Sequence, residues 1–241
     1  MRVVSWNVWC RSGHDWQQRQ DGIIDLLEAV DPDVAGLQEV WVADGVSQAE
    51  QLAAELGMDH AVATPPPGVT GVAVLSRWPI REVREHRLPA THSDQPVALR
   101  ATVDHPVGPL HVVASCVERQ PASADDQLAQ IRVLADLVAD PALDGPLPVL
   151  LTADLNAAPD APQLRPLRDG PLIDTWLAGH GDPAAARPAR QQPDQRIDYV
   201  LARPGTAGAQ VDVRRAFLAC PPGGARPPAD HEAVVTDLVP G

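Results

Sequence analysis

The chain has 241 residues, of which 44% are hydrophobic and only 3% aromatic, and its formal net charge is -13. That length supports a buried core in one domain or two small ones, and no stretch is apolar for long enough to span a membrane. The acidic balance disfavours long DNA or RNA, which would ask for a basic face, and suits a site that binds a cation.

Every basic side chain is Arg, and Phe217 and Tyr199 are alone of their kinds, so Val, Leu, Ala and Ile must build the core. Cys10, Cys116 and Cys220 are odd in number and scattered. They form neither a disulfide framework nor a paired metal-ligand pattern, and they fit a reducing cytoplasm. The opening residues show no signal peptide, because Val3 to Val8 already reads as a strand with Asn7 near its end.

In chain order, the spacing of Ile23, Ile24, Leu27 and Val30 predicts a helix over Trp16 to Val30, stopped by Asp31-Pro32-Asp33. Val34 to Val40 reads as a short apolar strand ending in the carboxylate of Glu39, and Ser47 to Leu56 as a helix capped by Ser47. Strands follow at Gly71 to Leu75, Ile80 to Leu88, Val97 to Val103 and Leu110 to Cys116. Ser123 to Val138 is an amphipathic helix with Leu128, Ile131, Leu134, Leu137 and Val138 as its buried stripe. Pro148 to Thr152 is a buried strand leading into Ala153-Asp154-Leu155-Asn156. Residues 178–195, rich in Gly, Pro, Ala, Arg and Gln, read as a long mobile loop. Arg196 to Leu201, Val211 to Leu218 and Ala233 to Leu238 complete the strands, and the whole, residues 1–241, is expected to be a single domain of α/β layers.

Polar residues recur where apolar strands end: Asn7, Glu39, Asp154 with Asn156, and Asp230 with His231. One such residue alone is most simply a solvated turn or a cap. Repetition is harder to explain that way, because strand ends in an α/β protein lie side by side and can converge on one crevice. Carboxylate and amide oxygens are hard ligands that suit magnesium or manganese, and no Cys/His cluster competes for zinc. Asp198 offers a partner that could orient the imidazole of His231.

These segments together resemble the endonuclease/exonuclease/phosphatase superfamily. Ser5-Trp6-Asn7-Val8 is similar to its opening strand. Arg19, followed by the segment from Asp31 to Val40, resembles the stretch ending in its main metal-binding Glu, and Gly71 to Ile80 resembles its central hairpin. Thr152-Ala153-Asp154-Leu155-Asn156 looks like the Gly-Asp-Phe-Asn motif, and the segments Arg196 to Val200 and Ala229 to Val234 resemble the last two motifs. The resemblance implies a four-layer α/β sandwich, with two packed mixed β-sheets flanked by helices. It implies a hydrolase of phosphate mono- or diesters that depends on Mg2+ or Mn2+. Glu39 would bind the metal, with Asn7 and Asp230 beside it, as ligands or just behind the ligands. Asp154 would orient or deprotonate the attacking water, and Asn156 would donate to the phosphate or to that water. His231 would contact the scissile phosphate, held by Asp198.

Two departures stand out. Many members of the superfamily carry a second catalytic His, and other branches a Tyr, at the position where this chain has Cys116, and Ala153 replaces the usual Gly. A thiol is a weak donor, so Cys116 reads as a small buried residue. The alternative is a specialised site in which His92 or Arg119 supplies the missing donor. Trp9 and Trp41 could line a pocket or simply anchor packing, and Arg11, Arg77 and Arg119 are candidate phosphate binders. His14, His60, His105, His111 and His180 read as surface or structural. The expected substrate is a phosphorylated small molecule, lipid headgroup or nucleotide, with no membrane insertion. A nuclease of the same superfamily, or a degenerate member that binds without hydrolysing, is the alternative.

Overall fold

The computed structural model describes residues 1–13, 15–64, 70–91, 95–119, 124–179, 196–206, 209–219, 221 and 227–239. The expected loop at 178–195 lies almost wholly outside them, as do His14, His92, His180 and Cys220.

Two sheets carry the fold. The first has the strand order β12-β13-β1-β2-β5-β4. Its strands are β1 (Arg2–Asn7), β2 (Val34–Ala43), β4 (Asp59–Ala63), β5 (Thr70–Ser76), β12 (Asp212–Ala219) and β13 (Ala233–Val239), with the short β3 (Val46–Ser47) pairing with β2. The second has the order β10-β11-β9-β8-β7-β6. It comprises β6 (Ile80–Arg87), β7 (Val97–His105), β8 (Gly108–Cys116), β9 (Val149–Asp154), β10 (Ile173–Asp174) and β11 (Asp198–Arg203). Both sheets are mixed, because β1 runs parallel to β2 and β8 parallel to β9 while their other neighbours are antiparallel.

The layers follow from which faces are apolar. Val3, Val34 and Val74 meet Leu99, Val112 and Leu150 between the sheets. The other face of the first sheet, with Val4, Trp6, Leu37 and Leu75, is covered by α1 (Trp16–Val30) and α2 (Gln48–Leu56). The far face of the second sheet, with Val113, Leu151 and Tyr199, is covered by α3 (Ala124–Ala139). This is the expected four-layer sandwich, and each fully buried Val or Leu contributes about 1.5–3 kcal/mol to holding it together. The short helices α4 (Arg165–Arg168) and α5 (Thr175–Ala178) lie between β9 and β11 in the chain.

Local signals behave as the residues dictate. Asp31 ends α1 in the left-handed conformation, with its N–H bonded to Leu27 O. Ser47 caps α2 by accepting from Glu50 N. The stripe of α3 differs from expectation. Leu128 and Leu137 are only half-buried, whereas the polar Asp126, Gln127 and Gln130 are buried. Their amides and carboxylate are spent on loop backbone, as the site makes clear below.

The two sheets approach closely at Gly36 and Thr152. A Cβ at Gly36 would stand 1.8 Å from Thr152 Oγ1, so only glycine lets β2 pass β9 there. Beside it, the buried Gln38 side chain reaches Ser5 Oγ, Gly36 O and Thr152 O, which joins the two sheets through a polar contact.

Candidate functional site

Asn7 ends β1, and its amide nitrogen donates to Glu39 Oε1 at 2.9 Å and to Asp154 Oδ2 at 3.1 Å. Its oxygen accepts from Trp9 N at 3.0 Å, which sets the orientation of the amide. Glu39 does not sit at a strand end, as its place in the sequence suggested. It lies inside the longer β2, at a bulge between Gln38 and Val40, with φ at 54°. A bulge turns one side chain out of the ladder, and here it aims a carboxylate at the cleft. A left-handed residue other than glycine costs free energy, and such residues concentrate at functional sites.

Asp154 ends β9 and pairs with Asp198 at the start of β11 on one side and with Cys116 at the end of β8 on the other. Its Oδ1 accepts from Asn156 N at 3.0 Å. Around its Oδ2 stand Asn7 Nδ2, Cys116 Sγ at 3.9 Å and His231 Nε2 at 3.9 Å. The other ring nitrogen of His231, Nδ1, is 2.9 Å from Asp198 Oδ2. Asp198 Oδ1 is buried without a hydrogen-bond partner among the described residues. Asn156, itself left-handed with φ at 46°, donates to Val117 O. Asp230 precedes His231, and its charge favours the protonated ring.

The carboxylates and the imidazole shift each other. Burial, then the charge of Asp198, raises the pKa of Asp154, while His231, Asn7 and the Asn156 N–H oppose the rise. Burial disfavours a charged His231, but the Asp198 charge and hydrogen bond, with Asp154 and Asp230, outweigh it and lift the ring to about 9. These neighbours favour the protonated ring, with Nδ1 against Asp198 and Nε2 facing Asp154. Burial, and then Asp154, Glu39, Asp198 and Glu118, pushes the Cys116 thiol well above its ordinary range. It stays a protonated, weakly donating group, but it is half-buried and lines the cleft rather than being the buried residue expected from the sequence.

Side chains that sequence motifs did not single out hold these groups in place. Trp6 Nε1 donates to His231 O, and Tyr199 OH donates to Ala157 O and Arg196 O. From α3, Gln127 donates to Glu118 O, Leu155 O and Asn156 O. Gln130 accepts from Glu118 N, and Asp126 accepts from Thr91 N and Thr91 Oγ1. Buried polar residues on otherwise apolar faces were the available sign, since such groups need partners.

A cleft of about 260 Å³ opens beside these groups, lined by Glu39, Cys116 and Asn156 together with Val72, Val97 and Arg119. Of the other candidate arginines, Arg77 is bound to Asp31 and Asp33, and Arg11 lies over the rings of Trp16 and Trp41. Trp41 is buried at 3% exposure and anchors packing, whereas Trp9 is half-buried beside Asn7. His105 packs on Trp78, and His111 on Thr102.

Asp154, Asp198 and His231 offer three potential ligand atoms within 4.8 Å of one another. His231 and Asp198 are already committed to each other, however. Glu39 instead faces the cleft with no ion-pair partner among the described residues. Its oxygens, close to those of Asp154 through the shared Asn7 amide, form a hard donor set that fits a hard divalent cation.

The model of the Endonuclease/Exonuclease/phosphatase family matches residues 4–219. The chain belongs to that family. It is a hydrolase acting on phosphoester bonds. No curated protein matches it by sequence. Among solved structures, a D. rerio TDP2 humanized by 14 mutations is 18% identical with a TM-score of 0.82, covering 99% of this chain and 98% of that one. The human Nocturnin catalytic domain is 20% identical with a TM-score of 0.78, over 99% and 94%. A mannosyl-6-phosphatase from Bacteroides thetaiotaomicron is 18% identical with a TM-score of 0.79, over 99% of both chains. At these identities the likeness establishes the four-layer fold.

Proposed function

We propose that the chain is a divalent-metal-dependent hydrolase of phosphorylated small molecules, with nucleotides and lipid headgroups inside its substrate class. The observation that carries this reading is the joint placement of Glu39 and Asp154 on one Asn7 amide, with the Asp198–His231 pair beside Asp154. Glu39 would hold Mg2+ or Mn2+, with Asn7 and Asp230 close by, and the bound cation would supply positive potential to the phosphoryl oxygens.

The remaining steps belong to the chain's own residues. Asp154, whose pKa is raised toward neutrality by burial and Asp198, accepts a proton from the attacking water. His231, protonated and oriented by Asp198, donates through Nε2 to the phosphoryl group as charge builds. Asn156 lines the cleft with Glu39 and would add a second donor through its amide, one hydrogen of which is given to Val117 O. Cys116 leaves the place of a second imidazole to a neutral thiol, so among the described residues His231 is the imidazole at these carboxylates.

The small cleft, with a single arginine among its lining residues, suits a compact substrate better than a polynucleotide, and so does the charge of -13. The neighbours span both chemistries, since one is a sugar phosphatase and one a D. rerio TDP2 complexed with a single-strand DNA product. The test is a panel of phosphorylated sugars, nucleotides, lipid headgroups and oligonucleotides, each with Mg2+, Mn2+ or chelator. Metal-dependent release of phosphate or alcohol from small substrates is expected. Cleavage confined to oligonucleotides would replace the small-molecule reading with a nuclease, and metal-independent turnover would remove the proposed role of Glu39.

A further inference from the structure

We propose that Arg19 is a positioning residue for the reaction, a clamp from α1 that fixes the two loops flanking the catalytic groups; this rests on the functional reading above. Arg19 is 7% exposed, and its guanidinium donates to five backbone carbonyls. Nη2 donates to Ser12 O at 2.7 Å, Cys10 O at 2.9 Å and Trp9 O at 3.3 Å. Nη1 donates to Pro228 O at 3.0 Å and Val8 O at 3.4 Å. Asp15 Oδ1 stands 3.9 Å from Nε.

These carbonyls belong to two separate loops. Residues 8–12 directly follow Asn7, and Pro228 lies just before Asp230 and His231. The first loop is strained, with Trp9 at φ 58° and Cys10 at φ 32°. Such backbone persists only where its surroundings over-determine it, and the Arg19 fork, together with its guanidinium 4.6 Å over the Trp9 ring, does so. The strain matters for the site because Trp9 N donates to Asn7 Oδ1 and so turns the Asn7 amino group toward Glu39 and Asp154. On the second loop, one turn along α1, a Cβ at Gly22 would stand 3.0 Å from Pro228 Cβ. The helix therefore rests directly on the segment that delivers His231. A lysine keeps the charge but concentrates its donors at one point and cannot span both loops.

The test compares wild type with Arg19→Lys and Gly22→Ala, measuring kcat, KM, thermal unfolding and amide hydrogen exchange on the metal-loaded protein well below its unfolding temperature. Arg19→Lys should lower kcat roughly 100-fold, as a misplacement of about 1 Å does, with KM little changed. Exchange should quicken together in residues 8–12 and 229–231 and not across the sheets. Gly22→Ala favours the helix intrinsically, so it should unfold no earlier than wild type, yet lower kcat and quicken exchange at 229–231 alone. Wild-type kcat in Arg19→Lys would overturn the clamp, as would exchange that quickens evenly through the chain. If Arg19→Lys does not fold, an unchanged kcat and unchanged exchange at 229–231 in Gly22→Ala overturn it instead. A wild-type protein that hydrolyses none of the panel defeats the functional reading, while the exchange pattern still decides whether Arg19 couples the loops.

Discussion

Asn7 Nδ2 and Asp154 Oδ2 lie 3.1 Å apart although they are 147 residues apart in sequence and belong to different sheets. The site therefore forms only where the two sheets meet. The same amide holds Glu39, so a single side chain keeps two carboxylates near each other, with the ring of His231 3.9 Å from Asp154 Oδ2.

Replacing that amide should be costly for turnover. Asn7→Ala leaves Glu39 and Asp154 to repel each other and removes the donor that orients both. Loss of one preorganised donor typically costs about 10²–10³ in rate. Steady-state kinetics should show that loss in kcat, with unfolding by urea changed by no more than about 1–2 kcal/mol. Wild-type turnover would show that the bridge has no catalytic consequence.

Gly36 should be intolerant of any side chain. Its missing Cβ is the space occupied by Thr152 Oγ1, and overpacking of this kind costs about 1–3 kcal/mol. Gly36→Ala should lose that much stability in urea, and Thr152→Ala in the same chain should return part of it. Additivity of the two changes would mean that they do not meet across the sheets.

The pH profile should respond to Asp198. His231 donates only while protonated, so kcat/KM should fall as pH rises through about 9, the value to which its carboxylate neighbours lift it against burial. Asp198→Asn removes the largest of the raising influences and leaves burial in place. Its alkaline limb should move to lower pH, with lower turnover at pH 8 than at pH 6 relative to wild type. A limb that stays in place would assign it to another group.

Cys116 should matter little as a thiol. It is neutral, and its contact with Asp154 is 3.9 Å long. Cys116→Ala is expected to change kcat by less than about threefold, since a neutral thiol is a weak donor. Cys116→His should raise turnover of a generic aryl phosphodiester if the end of β8 accepts the ring. A severe loss in Cys116→Ala, with folding and metal affinity intact, would reveal chemistry at the sulfur and favour a specialised mechanism.

Much of this was legible in the residues. Apolar spacing located α1, the Ser47 cap located α2, and ordered polar residues at strand ends marked Asn7, Asp154, Asn156 and His231. Strand β4 was missed because Asp59-His60-Ala61-Val62-Ala63 is short, half polar, and made a strand by its pairing with β5. The bulge at Glu39 was also hidden, because register slips depend on the partner strand and leave no local signal. The same holds for Trp6, Gln127 and the fork of Arg19. Each spends its donors on carbonyls brought near by the fold rather than by adjacency in the chain.

The most direct test of the account compares metal binding and turnover in wild type, Glu39→Gln and His231→Ala on one substrate with Mn2+, by calorimetry and steady-state kinetics. Glu39→Gln should lose both metal affinity and activity, because it removes charge from a hard-cation ligand. His231→Ala should keep the metal affinity and lose roughly two to three powers of ten in kcat, because it removes a donor to the phosphoryl group. Unchanged metal affinity in Glu39→Gln, or wild-type turnover in His231→Ala, would contradict the account.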